Sequence, residues 1–476
     1  MTGQKGKTES RRRFIGRMGA AGASLAFLRP TRMAFSKESS HGSASRDRPN
    51  IIVFVTDDQR WDTMGCVGNP IIQTPNLDRL AQEGVLFMQN FCTTSICMSS
   101  RASIFTGMYT RRHQINSFQQ PLSPELLAQT YPVLLRKGRY RTGFVGKWGL
   151  GGPLPKEDFD YFEGFSGQGQ YFQEINGKNV HLTQLLTERA LEFLRGCSRE
   201  QPFCLSVSFK APHVQDGHPD PFRYDPIYEN LYQDTEIPVP TTASAKHFQA
   251  LPEFIRTSEG RVRWERRFAT PRLFQKSVKA YYRLITGADA ALGKAMAILD
   301  QFKLSENTVI LWTSDNGFFL GEHGLAGKWL MHEESIRTPL IIRDPRLPSN
   351  RRGSRCEEMT LNIDIAPTLL TMAGANVPAA VQGQDLQPLL EGQPIAWRQD
   401  FFYEHLFEHA RIPKCEGIRT KRWKYIRYIQ QEPLYEELYD LEKDPQETQN
   451  VVGRKENDAV VASLRKRWRE LRDELV

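Results

Sequence analysis

The chain has 476 residues, a formal net charge of +8, and 39% hydrophobic and 25% charged residues. Eight Lys and Arg against the single acid Glu9 fall within residues 1–36, so the rest is near neutral and its charge gives no case for a nucleic-acid partner. The length beyond residue 36 exceeds one simple hydrophobic core and points to a large domain with a smaller attachment.

Residues 1–36 read as an export signal, not as a fold element. Ser10-Arg11-Arg12-Arg13-Phe14-Ile15 resembles a twin-arginine consensus, a weakly apolar run follows over 18–28, and Ala34-Phe35-Ser36 suits cleavage. The apolar run is far short of the roughly 20 residues that span a bilayer. No permanent membrane anchor is therefore expected, and the mature chain is placed in the periplasm or outside the cell. Residues 37–48 follow as a linker.

The segment 50–58, N-I-I-V-F-V-T-D-D, is a continuous apolar run ending in two carboxylates. It predicts a buried parallel strand with its carboxyl end at a ligand site, where adjacent acids repel unless a cation lies beside them. Residues 74–84 predict an amphipathic helix closed by Gly84. The segment 97–107, C-M-S-S-R-A-S-I-F-T-G, predicts a helix start with Ser99 and Ser100 at capping positions. Such a start favours an anionic, reactive Cys97, and Arg101 lies one turn on. A buried cysteine in an ordinary capped helix is the alternative.

The pattern of an apolar strand with a polar end recurs. Residues 142–146 lead into Lys147-Trp148, 203–209 into Lys210-Ala211-Pro212-His213, and 308–313 into Ser314-Asp315-Asn316-Gly317. Helical patterns separate them, which argues for an α/β sheet with one site along its carboxyl edge. Asp57, Asp58, Asp315 and Asn316 are hard oxygen donors suited to Ca2+ or Mg2+. Lys147 and Lys328 suit a tetrahedral anion, and His213 and His323 can exchange protons near neutral pH. No P-loop or dinucleotide fingerprint is present.

Between 213 and 277 the arginines 256, 261, 263, 266 and 267 cluster with Trp264 and Phe268. They form either a solvated charged helix or a substrate rim, and the aromatic, Gly-containing segment 162–172 could form another wall. Residues 278–299 predict a long helix. Short strands are predicted at 401–403, 419–429 and 437–441, with a terminal helix over 458–475. Of seven cysteines, six besides Cys97 could pair in an oxidising compartment or remain free.

C-x-x-S-R, four residues, then T-G resembles the signature of type I, formylglycine-dependent sulfatases of the alkaline-phosphatase-like superfamily. The separated motifs follow that family's order from about residue 50 to 452. The resemblance implies a large mixed, mostly parallel sheet sandwiched by helices (49–395) and a small C-terminal α+β subdomain with a short antiparallel sheet (396–476). It implies oxidation of Cys97 to formylglycine by a formylglycine-generating enzyme. Asp57, Asp58, the oxidised Cys97, Asp315 and Asn316 would hold one Ca2+, Mg2+ being compatible with the same donors. Arg101 resembles the arginine that holds formylglycine. Lys147 and Lys328 resemble the sulfate-binding lysines, His213 the histidine near the leaving oxygen, and His323 the histidine after D-N-G.

Two positions depart from the family. Ser99 replaces a proline or alanine, and Gly149 replaces a histidine whose role His113 or His323 could take. The implied activity is sulfate-ester hydrolysis; export and the aromatic and arginine walls point to an O-sulfated saccharide, and the overall pattern also resembles bacterial N-acetylglucosamine-6-sulfatases. A phosphonate or phosphate ester hydrolase, or a sulfated-glycan binding protein without turnover, are the competing readings.

Overall fold

The computed structural model describes residues 48–475; the export signal read at 1–36 lies outside the described residues. The apolar run at 50–58 folds as β1 (Asn50–Asp57), buried at every residue. Ile52 and Phe54 enter one core, while Ile51, Val53 and Val55 enter the other. This is the period-2 geometry of a strand covered on both faces.

The other strands of its sheet are β2 (Val85–Phe91), β3 (Arg141–Lys147), β4 (Tyr161–Phe165), β5 (Phe203–Pro212), β6 (Thr308–Ser314), β7 (Leu340–Arg343) and β8 (Ser354–Leu361). Their spatial order is β8-β2-β7-β6-β1-β5-β3-β4. Within this sheet β7 alone runs antiparallel to its neighbours; the other pairings are parallel. The expected large, mixed, mostly parallel sheet is therefore present. Of its strands, 85–91, 161–165, 340–343 and 354–361 had not been anticipated; two of these have only five and four residues, too short for a periodic signal.

Helices α1 (Pro75–Glu83), α2 (Cys97–Thr106), α3 (Leu182–Arg195), α4 (Glu259–Arg267), α5 (Pro271–Gln301), α6 (Ile365–Met372) and α7 (Asp458–Glu474) carry most of the packing. Apolar residues of α1, α3 and α5 fill one core, and those of α2 and α6 fill the core on the opposite sheet face. Gly84 closes α1 without a left-handed cap, at φ −129°. Its lack of a side chain serves close packing, because a Cβ there would lie 2.5 Å from the Ile342 carbonyl oxygen.

A second sheet, antiparallel throughout, comprises β9 (Asp400–His405), β10 (Cys415–Thr420), β11 (Trp423–Tyr428) and β12 (Tyr435–Asp440). Val461, Leu464 and Trp468 of α7 join its core. The run 419–429, read from sequence as one strand, is two strands around Lys421-Arg422. No Gly or Pro marks that turn; Thr420 Oγ1 caps it instead by accepting from Trp423 N at 2.8 Å. All seven cysteines are free. Among the described residues no helix is long and apolar enough to cross a membrane.

Thr74 provides α1 with no side-chain cap; Asp289 of α5 does so from across the core. Its carboxylate accepts from Leu77 N at 2.7 Å, Asn76 N at 3.3 Å and Asn76 Nδ2 at 2.8 Å. Asp289→Ala should destabilise the protein by about 1–3 kcal/mol in urea unfolding, since buried donors lose their acceptor. Burial raises the Asp289 pKa from 3.8 to about 6. A raised folded pKa favours the protonated native state, so this group reduces stability as pH rises through that window. Asp289→Asn should flatten the stability–pH slope there.

Candidate active site

Parallel pairing brings the carboxyl ends of β1, β3, β5 and β6 to one edge. Asp57 ends β1, and Asp58 follows at φ +70°, a conformation costly for a non-glycine residue. Two contacts hold it: its carbonyl accepts from Tyr281 Oη at 2.6 Å, and its N–H donates to Asp315 Oδ1 at 3.2 Å. Asp315 N donates back to the Thr56 carbonyl at 3.0 Å. Asn316 Nδ2 donates to Asp58 Oδ1 at 2.6 Å, while Asn316 Oδ1 is buried without a partner.

Helix α2 points its first residue at this edge, and all ten of its residues are buried. Its N-cap is Ile96, with no side-chain cap. Ser99 and Ser100 thus sit inside the first turn, not at capping positions. The Ser99 hydroxyl donates to the Ile115 carbonyl at 2.6 Å and that of Ser100 to the Asp315 carbonyl. Cys97 Sγ donates to Asp57 Oδ1 at 3.3 Å and accepts from Lys328 Nζ at 2.9 Å. Burial, then Asp57, pushes its pKa up to about 12 against the two lysines. The expected anionic thiol is not supported: burial outweighs the helix start and favours the protonated thiol.

Arg101 spreads its guanidinium across the cluster. Nε donates to Asp315 Oδ2 at 2.9 Å, Nη1 to the Lys147 carbonyl at 3.1 Å and to Ser208 Oγ. Nη2 lies 3.5 Å from Asp57 Oδ2 but makes no hydrogen bond. Lys147 Nζ donates to Asp57 and, at 2.7 Å, to Gln168 Oε1. Lys328 Nζ also donates to Asp58. His213 donates from Nδ1 to the Val214 carbonyl at 2.6 Å, which directs Nε2 to Asp58 Oδ2, 3.7 Å away.

The electrostatics follow from burial. Burial works to raise Asp57, yet Lys147, His213, Arg101 and Lys328 hold it well below the usual carboxylate range. Burial raises Asp58 despite Lys328, and burial with Asp57 raises Asp315 to about 6. Ligand atoms of Asp57, Asp58, Cys97 and His213 all lie within 4.8 Å of one another. Crowded carboxylates together with the orphaned Asn316 oxygen fit a hard divalent cation.

His323 is not part of this convergence. It packs against His332 and Phe319 at ring-centroid distances of 5.2 and 6.3 Å, and burial, then His247, lowers its pKa to about 4. The residue after Lys328 is fastened by the second sheet. Tyr403 Oη donates to the Trp329 carbonyl at 3.1 Å, meets Ser95 Oγ at 2.6 Å, and accepts from Ser95 N at 3.3 Å.

Residues 49–375 match the family model described as Sulfatase. The chain belongs to the sulfatase family. Residues 321–474 also match the model for the C-terminal part of N-sulphoglucosamine sulphohydrolase. An N-acetylglucosamine-6-O-sulfatase of Bacteroides thetaiotaomicron is 31% identical, over 86% of this chain and 83% of that protein. An arylsulfatase of Clostridium perfringens is 28% identical, over 88% and 93%. A solved structure in complex with its substrate D-glucosamine-2-N,6-O-disulfate superposes with a TM-score of 0.79 at 27% identity, over 90% of this chain and 98% of that one. The protein is accordingly a sulfuric ester hydrolase.

The two departures from the sulfatase pattern now have physical accounts. Ser99 lies in the first helical turn, whose N–H groups lack intrahelical partners, and its hydroxyl holds the segment at Ile115. Gly149 has φ +78°, and a Cβ there would overlap Arg101 Cδ. This sulfatase fills the side-chain space at 149 with the Arg101 stem. His113 is not free to replace a histidine there: Nε2 meets Ser103 Oγ at 3.1 Å, and Nδ1 accepts from Ile115 N at 3.0 Å.

The rim is more structured than a solvated helix. Arg261 stacks on Phe248 and Trp264 at 4.0 and 3.9 Å. Arg266 lines a cavity of about 440 Å3 with Phe172 and Arg223, whereas Arg267 is buried. Phe162 belongs to the aromatic core around Phe144 and Phe159, not to a wall. Sequence reasoning missed Gln168 and Ser208, and named Lys210 only as a polar strand end without a role. Lys210 is buried, donates to the Val214 carbonyl at 3.1 Å, and is lowered to about 8 by burial and Lys147. Its position one residue past the apolar core of β5 was the available signal.

Gly149→Ala should displace Arg101 and lower kcat on an aryl sulfate on the order of 10–100-fold. Left-handed backbone at a residue with a Cβ should add about 1 kcal/mol of destabilisation in thermal unfolding.

Proposed function

We propose that this sulfatase hydrolyses O-sulfate esters of saccharides, 6-sulfated glucosamine being the first class to test, with formylglycine at position 97 and a calcium ion. The observation that carries this reading is the buried cluster in which Asp57 and Lys328 meet Cys97 while Asp315, Asn316 and Lys147 meet Asp57 and Asp58. The saccharide comes from the two glucosamine-directed relatives named above. Asp57, Asp58, Asp315 and Asn316 would hold Ca2+, or Mg2+, which withdraws electron density from the sulfuryl oxygens. Formylglycine supplies a hydrated oxygen nucleophile, and its formation requires the modifying enzyme.

The chain's own residues take these roles. Arg101, with Nη2 unengaged, offers a donor to an oxygen at position 97. Lys147 and Lys328 bind sulfuryl oxygens and stabilise charge developing there. His213 keeps Nδ1–H on a carbonyl, so Nε2 is the atom that would take up a proton and pass it to the leaving alcohol; burial holds the free imidazole well below its ordinary pKa, so that proton must be gained as the substrate binds. His323 positions the loop that carries Lys328.

Protein made with the modifying enzyme should release sulfate from glucosamine 6-sulfate and show an aldehyde at position 97 by peptide mass spectrometry. Cys97→Ala should abolish turnover, and chelation should abolish it until Ca2+ is restored. Active protein with an intact thiol, or a phosphate diester turned over faster than the sulfate, would defeat the reading.

The proposed place of action is outside the cytoplasm by the twin-arginine route. Replacing Arg11 and Arg12 with lysine should retain the protein in the cytoplasm, measured by fractionation; unchanged export would refute that route.

A further inference from the structure

The rim holds one cation that none of the proposed chemistry uses. Arg267, at the end of α4, is 5% exposed, and its Nη1 has no hydrogen-bond partner. Its other terminal nitrogen reaches Asp216 Oδ1 only at 3.7 Å, and Asp216 is half exposed. Arg263 draws on that same oxygen at 3.5 Å. Arg263 Nε also binds Glu259 Oε1 at 3.0 Å, but the other oxygen of Glu259 is taken by Arg411 at 2.8 Å. Three guanidiniums thus share two carboxylates, and the most buried of them has the weakest partner. A buried charge with so weak a partner is costly and needs an explanation. Burial, then Arg263, depresses the Arg267 pKa to about 10, as expected of a cation short of counter-charge.

The location is informative. Asp58 and Asp216 both act electrostatically on Arg267, and the same two carboxylates act on Lys210. Arg263 lies over the Trp329 indole at 5.0 Å, beside Lys328. Arg267 and Lys210 therefore both lie within electrostatic reach of the Asp58 side of the sulfate-binding cluster. Arg266 faces the separate cavity already described and is not part of this group.

We propose that Arg267, supported by Arg263, forms a second anion subsite that takes a carboxylate or sulfate group on the same saccharide whose sulfate ester is cleaved. This rests on the reading of the chain as a saccharide sulfatase. A planar guanidinium with an unused edge binds either anion in a forked geometry.

Two substrate pairs distinguish the sources of the anion. One is glucosamine N,6-disulfate against N-acetylglucosamine 6-sulfate; the other is a 6-sulfated disaccharide with a uronic acid against its carboxyl-reduced form. The modified wild-type enzyme should prefer the doubly charged member of at least one pair. Arg267→Gln should reduce that preference in kcat/KM by about tenfold, mainly through KM, and Arg267→Lys by less. Thermal unfolding checks the fold of each variant; should Arg267→Gln fail to fold, Arg263→Gln carries the same test from a more exposed position. Equal losses on both members, or no wild-type preference in either pair, would overturn the subsite. Turnover of the singly charged substrates tests the sulfatase reading separately.

Discussion

Asp57, Asp58 and Asp315 are buried side by side at the end of a parallel sheet, and their mutual repulsion organises the surrounding structure. Each carboxylate is met by a cation from a different part of the chain: Lys147 from the end of β3, Lys328 from the loop before β7, Arg101 from α2. Taking any of these charges out of water is unfavourable unless the geometry is well satisfied. The backbone strain at Asp58 and the unpartnered atoms of Asn316 and Arg101 concentrate at this same place. A core built only for stability would not retain them.

The α/β class and most of the charged cluster at the sheet edge were legible because the signal is local. An apolar strand that ends in a charged residue announces both a buried strand and the edge where that residue emerges. Asp57, Lys147, His213 and Asp315 could each be found in this way, and topology alone then brings them together. What remained hidden depends on contacts between distant segments. The reason for Gly149 is the stem of Arg101, 48 residues earlier in sequence. The distinction between Arg266 and Arg267 is a matter of which way α4 faces, and a run of arginines does not encode that. The neutral state of Cys97 is likewise a result of burial, which overrides what a helix start alone would do.

The second sheet also gains a clearer role. From sequence it is an attachment of short strands and a charged helix. In the structure its first strand supplies Tyr403, and a single hydroxyl links the residues preceding Cys97 with the residue following Lys328. Cys97 and Lys328 are thus referenced to a common point outside the large sheet, as the tight positioning asked of the proposed reacting group requires.

That hydroxyl has a consequence for the order of events during synthesis. Ser95 precedes Cys97 by two residues, yet its fixing partner is made some 300 residues later. While the chain emerges from its amino end, the segment around Cys97 lacks one of its fastenings until nearly the whole protein exists. Only completion of the last sheet supplies that fastening, so the setting of Cys97 becomes final late in synthesis.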